Sequence, residues 1–170
     1  MKKDANIILI GMPAAGKSTV GRILARDLGF LFMDTDSLIE QGEGRKLHEI
    51  IAGQGMDGFR DIEEAHVLGI QTEGAVIATG GSVVYGQRAM AHLKDLGTVI
   101  YLRVSAGEAL ARIGDTSTRP LLAGPGAGIA ATALMRAREA LYAAAADHVV
   151  DTGGIAPGDV AASIVNVTLP

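Results

Sequence analysis

The residues best suited to do chemistry in this sequence stand together near its start. Positions 11–18 read Gly-Met-Pro-Ala-Ala-Gly-Lys-Ser and fit the pattern G-x-x-x-x-G-K-[ST], which is typical of a loop that cradles phosphates. The apolar run 7–10 precedes this loop, and a helical pattern over 17–28 follows it. In that context the glycines let successive N–H groups turn inward, and the helix N-terminus adds partial positive charge. The sequence therefore predicts a nucleoside triphosphate site.

The polar side chains of the loop have distinct expected roles. We expect Lys17 to reach the β- and γ-phosphates and the Ser18 hydroxyl to ligate Mg²⁺. Contacts to ATP are predicted along the loop and the helix start, at Ala14, Ala15, Gly16, Lys17, Ser18 and Thr19. The alternative is an ordinary glycine-rich turn, which is disfavoured because two glycines, Lys-Ser and both flanks occur together.

Two aspartates follow directly after the second predicted strand, 31–33. In open parallel sheets, ligands bind beyond the carboxyl ends of the strands, where Asp34 and Asp36 would lie. One carboxylate can hold Mg²⁺, and the other can accept a hydrogen bond from a substrate hydroxyl. The alternative is that Asp36 caps a short helix over 37–41.

Arg60 and Glu63 stand three residues apart on a predicted helix and could pair. The pair is either an ordinary surface ion pair, or it holds the arginine so that its guanidinium meets a carboxylate. Gly80 and Gly81 end the third predicted strand, where they either allow a ligand close to the backbone or form a plain turn.

One long segment, 114–128, is rich in glycine, proline and small polar residues and carries Arg119 in its middle. Loops of this length within a compact domain are usually functional or disordered. We expect a mobile lid that brings a cation over the phosphates and excludes water, in preference to a surface loop.

Composition limits the class of protein that must position these residues. With 48% hydrophobic and 20% charged residues the chain is not generally disordered, and 170 residues suffice for one domain with a proper core. A net charge of −4 disfavours a dedicated nucleic-acid surface, and the absence of cysteine excludes disulfides and thiolate chemistry. No apolar run approaches the ~18 residues that span a bilayer. The N-terminus leaves no room for a signal peptide, so we expect a cytoplasmic protein.

Strand-like and helical patterns alternate, which predicts an α/β fold with a parallel sheet. The predicted strands are Asn6–Ile10, Leu31–Met33, Ala75–Thr79, Thr98–Leu102 and His148–Val150. The predicted helices are Lys17–Leu28, Lys46–Ala52, Gly55–Thr72, Gln87–Asp95, Ala106–Arg112, Gly128–Ala145 and Pro157–Val167. We expect a single domain over 1–170.

Taken in order, these motifs resemble those of the shikimate kinase family. The matching segments are the phosphate loop 11–18, Asp34-Thr35-Asp36, Phe59-Arg60-Asp61-Ile62-Glu63, Thr79-Gly80-Gly81-Ser82, Arg119-Pro120-Leu121-Leu122, and Arg138 ahead of Leu141-Tyr142. The likeness extends from about Asn6 to Val167. Ser82 stands where the family has a third glycine, and Ile51 stands where a bulky aromatic is expected.

The resemblance implies a role for each matching residue. Asp36 would hold ring hydroxyls of the substrate, Gly80 and Gly81 would give it backbone contacts, and Arg60 and Arg138 would clamp its carboxylate. For the nucleotide, the implied residues are Ser18 and Asp34 for Mg²⁺, Lys17 and Arg119 for the transferred phosphoryl group, and Arg112 near adenine.

The resemblance also implies an architecture and a reaction. The implied fold is a three-layer P-loop kinase fold with a five-stranded parallel sheet in the order 2-3-1-4-5, a substrate-binding helical region at about 34–62 and a lid at about 113–127. The implied reaction is the ATP- and Mg²⁺-dependent phosphorylation of the 3-hydroxyl of shikimate, in aromatic amino-acid biosynthesis. We expect a monomer that acts on a small molecule and binds neither nucleic acid nor membrane.

Two other functions are alternatives to this one. A kinase of another hydroxy compound, such as gluconate or homoserine, would share the paired arginines and Asp36, and only the pocket wall would differ. A nucleotide-dependent switch is disfavoured, because the sequence has no Asn-Lys-x-Asp motif and supplies the lid arginine in the same chain.

Overall fold

A parallel five-stranded sheet, ordered β2-β3-β1-β4-β5, forms the centre of the molecule in the computed structural model, which describes residues 6–113 and 127–168. The strands are β1 (Asn6–Ile10), β2 (Leu31–Asp34), β3 (Ala75–Ala78), β4 (Gly97–Arg103) and β5 (His148–Asp151). This is the sheet order that the family resemblance implied, and each predicted strand is present within one residue at either end. The fold class is therefore confirmed.

Helices connect the strands and cover both faces of the sheet. They are α1 (Lys17–Leu28), α2 (Thr35–Glu43), α3 (Leu47–Leu68), α4 (Gln87–Leu96), α5 (Ala106–Ile113), α6 (Ala127–Ala145) and α7 (Pro157–Thr168), with a 3-10 helix at Val83–Tyr85. Along the described ranges, none of these helices has the length and apolar character needed to cross a membrane.

The central strand shows why the fold has three layers. All five residues of β1 are buried, and successive side chains point to opposite faces. Ile8 and Ile10 pack in one apolar core with residues of α3 and α4, whereas Ile7 and Leu9 pack in the other with residues of α1 and α7. Burial on both faces explains the continuous apolar runs of the sequence.

Two helices differ from their predicted form. The predicted helices 46–52 and 55–72 are one helix, α3, with a break at Gly55, whose φ of 72° and ψ of 179° are not helical. The short helix predicted at 37–41 begins earlier, at Thr35, because Asp34 caps it. Ile39, Ile50 and Phe59 form a small separate core that joins α2 to α3 beside the sheet.

The expected lid lies almost wholly outside the described residues. Residues 114–126 include Arg119, so its predicted role near the phosphates stays a prediction.

Candidate active site

The phosphate loop leaves β1 and curls through three residues with positive φ. Gly11 and Gly16 have φ values of 146° and 96°, and Ala14 has a φ of 64°. A Cβ at position 11 would lie 2.6 Å from the carbonyl oxygen of Leu102, so glycine is also needed there for packing against β4. The curled backbone is the shape that the loop motif predicted, although nothing in the sequence marked Ala14 as left-handed.

Lys17 lies across this loop. Its Nζ donates hydrogen bonds to the carbonyl oxygens of Gly11 and Met12, at 2.7 and 2.8 Å. These bonds hold the ammonium group over the loop where the N-terminus of α1 opens into a cavity of about 750 Å³. A cation in this place favours the binding of an anion such as a phosphate tail.

Ser18 and Asp34 meet beside the lysine. The Ser18 hydroxyl donates to Oδ2 of Asp34 at 2.7 Å, while Oδ1 of Asp34 accepts from the N–H groups of Asp36 and Ser37 at 3.1 and 3.2 Å. Asp34 is therefore the N-cap of α2, and the alternative in which Asp36 caps this helix is wrong. The cap fixes the Asp34 carboxylate at the carboxyl end of β2, with one oxygen directed to Ser18.

Gly80 brings two acidic side chains close together. A Cβ at this position would lie 2.5 Å from Oε1 of Glu63 and 2.7 Å from Oδ1 of Asp36, so any other residue would displace these carboxyl groups. The N–H of Gly80 donates to the Thr35 hydroxyl at 3.0 Å, which ties the end of β3 to the first turn of α2. The missing side chain of Gly80 therefore makes room for the two acidic groups.

Glu63 lies in the floor of the site. Its side chain is only 2% exposed, so the interpretation as a surface ion pair is wrong. The Ser82 hydroxyl donates to its Oε2 at 2.6 Å, and Oε1 is buried without a hydrogen bond within the described residues. Burial raises the pKa of Glu63 to about 7; the hydrogen bond from Ser82 opposes this shift, and the nearby Asp36 carboxylate adds to it.

Arg60 does not pair with Glu63 in the way that the spacing suggested. The ion pair that it makes is with the exposed Asp57, at 3.6 Å, and such a pair contributes little. Its guanidinium carbon lies 4.4 Å from the centre of the Tyr85 ring, and its Nε is buried with no hydrogen-bond partner in the described part of the chain.

Arg138 reaches the same tyrosine from α6. Its guanidinium carbon lies 5.3 Å from the centre of the Tyr85 ring, and its Nε donates to the Tyr85 hydroxyl at 3.4 Å. Sequence reasoning missed Tyr85, because it belongs to no motif and stands in a short 3-10 helix that the patterns did not predict. An aromatic residue shortly after the glycine pair was the one signal available.

Arg138 is also buried, with only 4% of the residue exposed. A Cβ on Gly81 would lie 3.2 Å from its Nη1, so this glycine lets the guanidinium come close to the backbone. The Tyr142 hydroxyl donates to the carbonyl oxygen of Gly81 at 2.5 Å, and burial raises the pKa of this phenol, which keeps it protonated. The hydrogen bond from Tyr142 thus holds the backbone of Gly81 against α6.

Arg112 lies at the nucleotide end. It donates to the carbonyl oxygen of Ala14 at 3.3 Å and to that of Thr152 at 2.9 Å, so it bridges the phosphate loop and the turn after β5. This is consistent with the predicted place beside a nucleotide base.

One cavity unites most of the predicted site. The predicted residues in its wall are Ala14, Gly16, Lys17, Ser18, Thr19, Asp34, Asp36, Gly80, Gly81 and Arg138. Of the other described candidates, Ala15 is a buried residue of the loop itself, Arg112 contacts the loop at Ala14, and Arg60 contacts Tyr85; none of the three is in the cavity wall. Ile51 and Ser82 also line it.

Comparisons with known proteins agree with this geometry. The family model for shikimate kinase matches residues 13–168. A curated shikimate kinase from Mycobacterium avium is 44% identical over 160 residues, which are 94% of this chain and 90% of that protein. A solved shikimate kinase from Acinetobacter baumannii, in complex with shikimate, superposes with a TM-score of 0.91 at 33% identity, covering 97% of this chain and 93% of that one. Another, from Aquifex aeolicus, gives a TM-score of 0.80 at 30% identity over 95% of this chain and 94% of that one.

Proposed function

Because the chain belongs to the shikimate kinase family and is an ATP-dependent kinase that phosphorylates a hydroxyl group, we propose that its acceptor is the 3-hydroxyl of shikimate. The product would be shikimate 3-phosphate, in aromatic amino-acid biosynthesis. The complex of the Acinetobacter baumannii kinase with shikimate supports this acceptor.

One observation carries the proposal: the buried Arg138 and the phosphate loop with Lys17 line the same cavity. A buried guanidinium is costly unless an anion accompanies it, and no ion pair joins Arg138 to any residue of 6–113 or 127–168. A phosphate loop alone does not need this second cation. A carboxylate on the acceptor would neutralise it through charge-assisted hydrogen bonds.

At the nucleotide end, the loop N–H groups and Lys17 would bind the phosphates of ATP. Lys17 would exchange its bonds to the loop carbonyl oxygens for the β- and γ-phosphates, and Arg112 would lie near adenine. Arg119 would add a second cation at the transferred group, as the sequence predicts. Such fixed charges are the main source of catalysis in phosphoryl transfer.

The residues present fit a magnesium ion. Ser18 and Asp34 are hard oxygen donors that already meet at 2.7 Å in the cavity wall, and the Asp34 oxygen facing Ser18 is not used by the helix cap. We propose that these two residues hold Mg²⁺, which would neutralise phosphate charge when bound.

At the acceptor end, Asp36 would accept a hydrogen bond from the hydroxyl that attacks. The hydroxyl oxygen forms the new bond to the γ-phosphorus, the bond from that phosphorus to the β–γ bridging oxygen breaks, and ADP leaves with the bond electrons. The hydroxyl proton moves toward the Asp36 carboxylate. The backbone of Gly80 and Gly81 would contact the ring, while Arg60 and Arg138 would hold the carboxylate.

The proposal includes the setting of the enzyme. The helical region at about 34–62 would bind the acceptor and the segment at about 113–127 would form the lid, within one domain spanning 1–170. We propose that the enzyme is a monomer, and we place it in the cytoplasm, where ATP is supplied.

An acceptor panel tests the function. The purified protein is given ATP and Mg²⁺ with shikimate, gluconate or homoserine, and ADP release is measured together with the mass of the phosphorylated product. We expect rapid turnover with shikimate alone and a product phosphorylated at the 3-hydroxyl. Turnover of gluconate or homoserine in preference to shikimate would overturn the proposal.

A further inference from the structure

We propose that Tyr85 is a positioning residue that holds Arg60 and Arg138 together as one carboxylate-binding unit, an inference that rests on the proposed function. Tyr85 is not in the cavity wall within the described residues. It would therefore influence the acceptor through the two arginines that it contacts.

The first step of the argument is the contact itself. The guanidinium carbons of Arg60 and Arg138 lie 4.4 and 5.3 Å from the centre of this one ring, within the range of favourable cation–π contact. The hydroxyl of Tyr85 also accepts from Nε of Arg138 at 3.4 Å. One side chain thus contacts both cations.

The second step is electrostatic. Two guanidinium groups that share a partly dry site repel each other. Within the described residues the ion pair of Arg60 is with the exposed Asp57, and the buried Glu63 carboxyl, whose pKa both arginines lower, lies near them. The electron-rich face of an aromatic ring can attract both groups without neutralising either. The pair therefore keeps its full charge for a carboxylate.

The third step is the placement of the tyrosine. The 3-10 helix Val83–Tyr85 follows the glycine pair directly and contacts both α3, which carries Arg60, and α6, which carries Arg138. The backbone N–H of Tyr85 donates to the carbonyl oxygen of Ser82 at 3.0 Å, so the backbone at Tyr85 is held by the segment that follows β3. Through Tyr85, the segment after β3 thereby positions arginines that belong to two separate helices.

Tyr85→Leu and Tyr85→Phe test this role. Leucine removes the ring, and we expect the KM for shikimate to rise about tenfold, with kcat and the KM for ATP changed less than about twofold. Phenylalanine keeps the ring and loses the weak bond to Arg138, so we expect it to restore the KM to within about twofold of the wild type. An unchanged KM in Tyr85→Leu, or equal losses for shikimate and ATP, would overturn the inference.

Two controls separate positioning from general damage. Phe32→Leu removes the other ring under an arginine, where Arg22 lies 5.0 Å from the ring centre away from the site; it should lower the melting temperature and leave the KM for shikimate unchanged. Inhibition by the methyl ester of shikimate, which lacks the negative charge, should be equal in wild type and Tyr85→Leu. If the methyl ester inhibited Tyr85→Leu more weakly than it inhibits the wild type, Tyr85 would not act through the carboxylate of the acceptor.

Failure of the inference and failure of the proposed function give different results. A wild-type protein that does not phosphorylate shikimate contradicts the function. A wild type that turns over shikimate, with a Tyr85→Leu variant that does so at the same KM, contradicts only the role of Tyr85.

Discussion

The two ends of the cavity are built in different ways. At the nucleotide end, one continuous segment, 11–18, supplies the curled backbone, Lys17 and Ser18. At the acceptor end, Arg60, Glu63, Tyr85 and Arg138 come from three separate elements and meet only in the folded protein. Local backbone geometry therefore determines the first end, whereas long-range packing determines the second.

This difference predicts that substitutions at the two ends should affect different properties of the enzyme. A change at the nucleotide end should affect the chemical step itself, because we propose that those groups face the transferred phosphoryl group. A change at the acceptor end should affect the choice and binding of the acceptor, or the stability of the packed elements that hold it.

The largest effect is expected for Lys17→Met. This change removes the cation that would stabilise charge on the phosphoryl group, and we expect kcat to fall by about a thousandfold or more while the fold is kept. ADP release measures kcat, and circular dichroism measures whether the fold is kept. The exposed Lys94 on α4 gives the matched control Lys94→Met, which should keep full activity. Equal activity in both variants would remove Lys17 from the mechanism.

The next effect is expected for Arg138→Ala. Loss of a buried, charge-assisted contact should raise the KM for shikimate by about a hundredfold and alter the KM for ATP far less. Steady-state kinetics with each substrate varied in turn gives both values. Arg136→Ala, on the exposed side of the same helix, is the control and should change neither. A similar rise in both KM values for Arg138→Ala would argue against the clamp.

Glu63, at the acceptor end, should make the free energy of unfolding depend on pH. Its pKa is about 7 in the folded protein against an ordinary value of 4.5, so the folded state keeps a proton that the unfolded chain loses. The stabilisation is complete below pH 4.5 and is lost as the pH rises through about 7. Relative to Glu63→Gln, the wild type should therefore lose on the order of 3 kcal/mol of unfolding free energy over this range.

Urea unfolding at a series of pH values measures this loss. Glu64→Gln, at the adjacent position, serves as the control and should follow the wild type. Parallel curves for the wild type and Glu63→Gln would show that Glu63 keeps its ordinary pKa.

The smallest effect is expected for Ser82→Ala. The Ser82 hydroxyl donates to Glu63 and lowers its pKa, so its removal should shift the pH-dependent loss of stability to higher pH. We expect an accompanying loss of about 1 kcal/mol at neutral pH. The exposed Ser163 provides the control Ser163→Ala. A loss of stability with no shift along the pH axis would mean that Ser82 does not act through Glu63.

The sequence predicted the fold and the nucleotide end well for a physical reason. Five short apolar runs, each followed by a helical pattern, leave few arrangements other than a covered parallel sheet. The loop motif fixes its own backbone, so that Lys17 and Ser18 could be placed from adjacent residues alone.

At the acceptor end, the sequence singled out Arg60, Glu63 and Arg138, but it predicted neither Tyr85 nor the contacts among these residues. The spacing of Arg60 and Glu63 suggested a pair, but burial directs Glu63 to Ser82 and Arg60 to Tyr85. Ser82 was identified as a departure from a glycine, yet its bond to Glu63 depends on the packing of α3 against the end of β3. No local pattern could predict Tyr85, because its partners lie 25 and 53 positions away along the chain.

The break at Gly55 has a consequence for the shape of this pocket. One half of α3 contributes Ile51 to the apolar wall, and the other half carries Glu63 in the charged floor. Because the backbone at Gly55 has a conformation that essentially only glycine adopts, the two halves meet at a fixed bend. A substitution before the break can therefore change the shape of the apolar wall without displacing the half of α3 that carries Arg60 and Glu63.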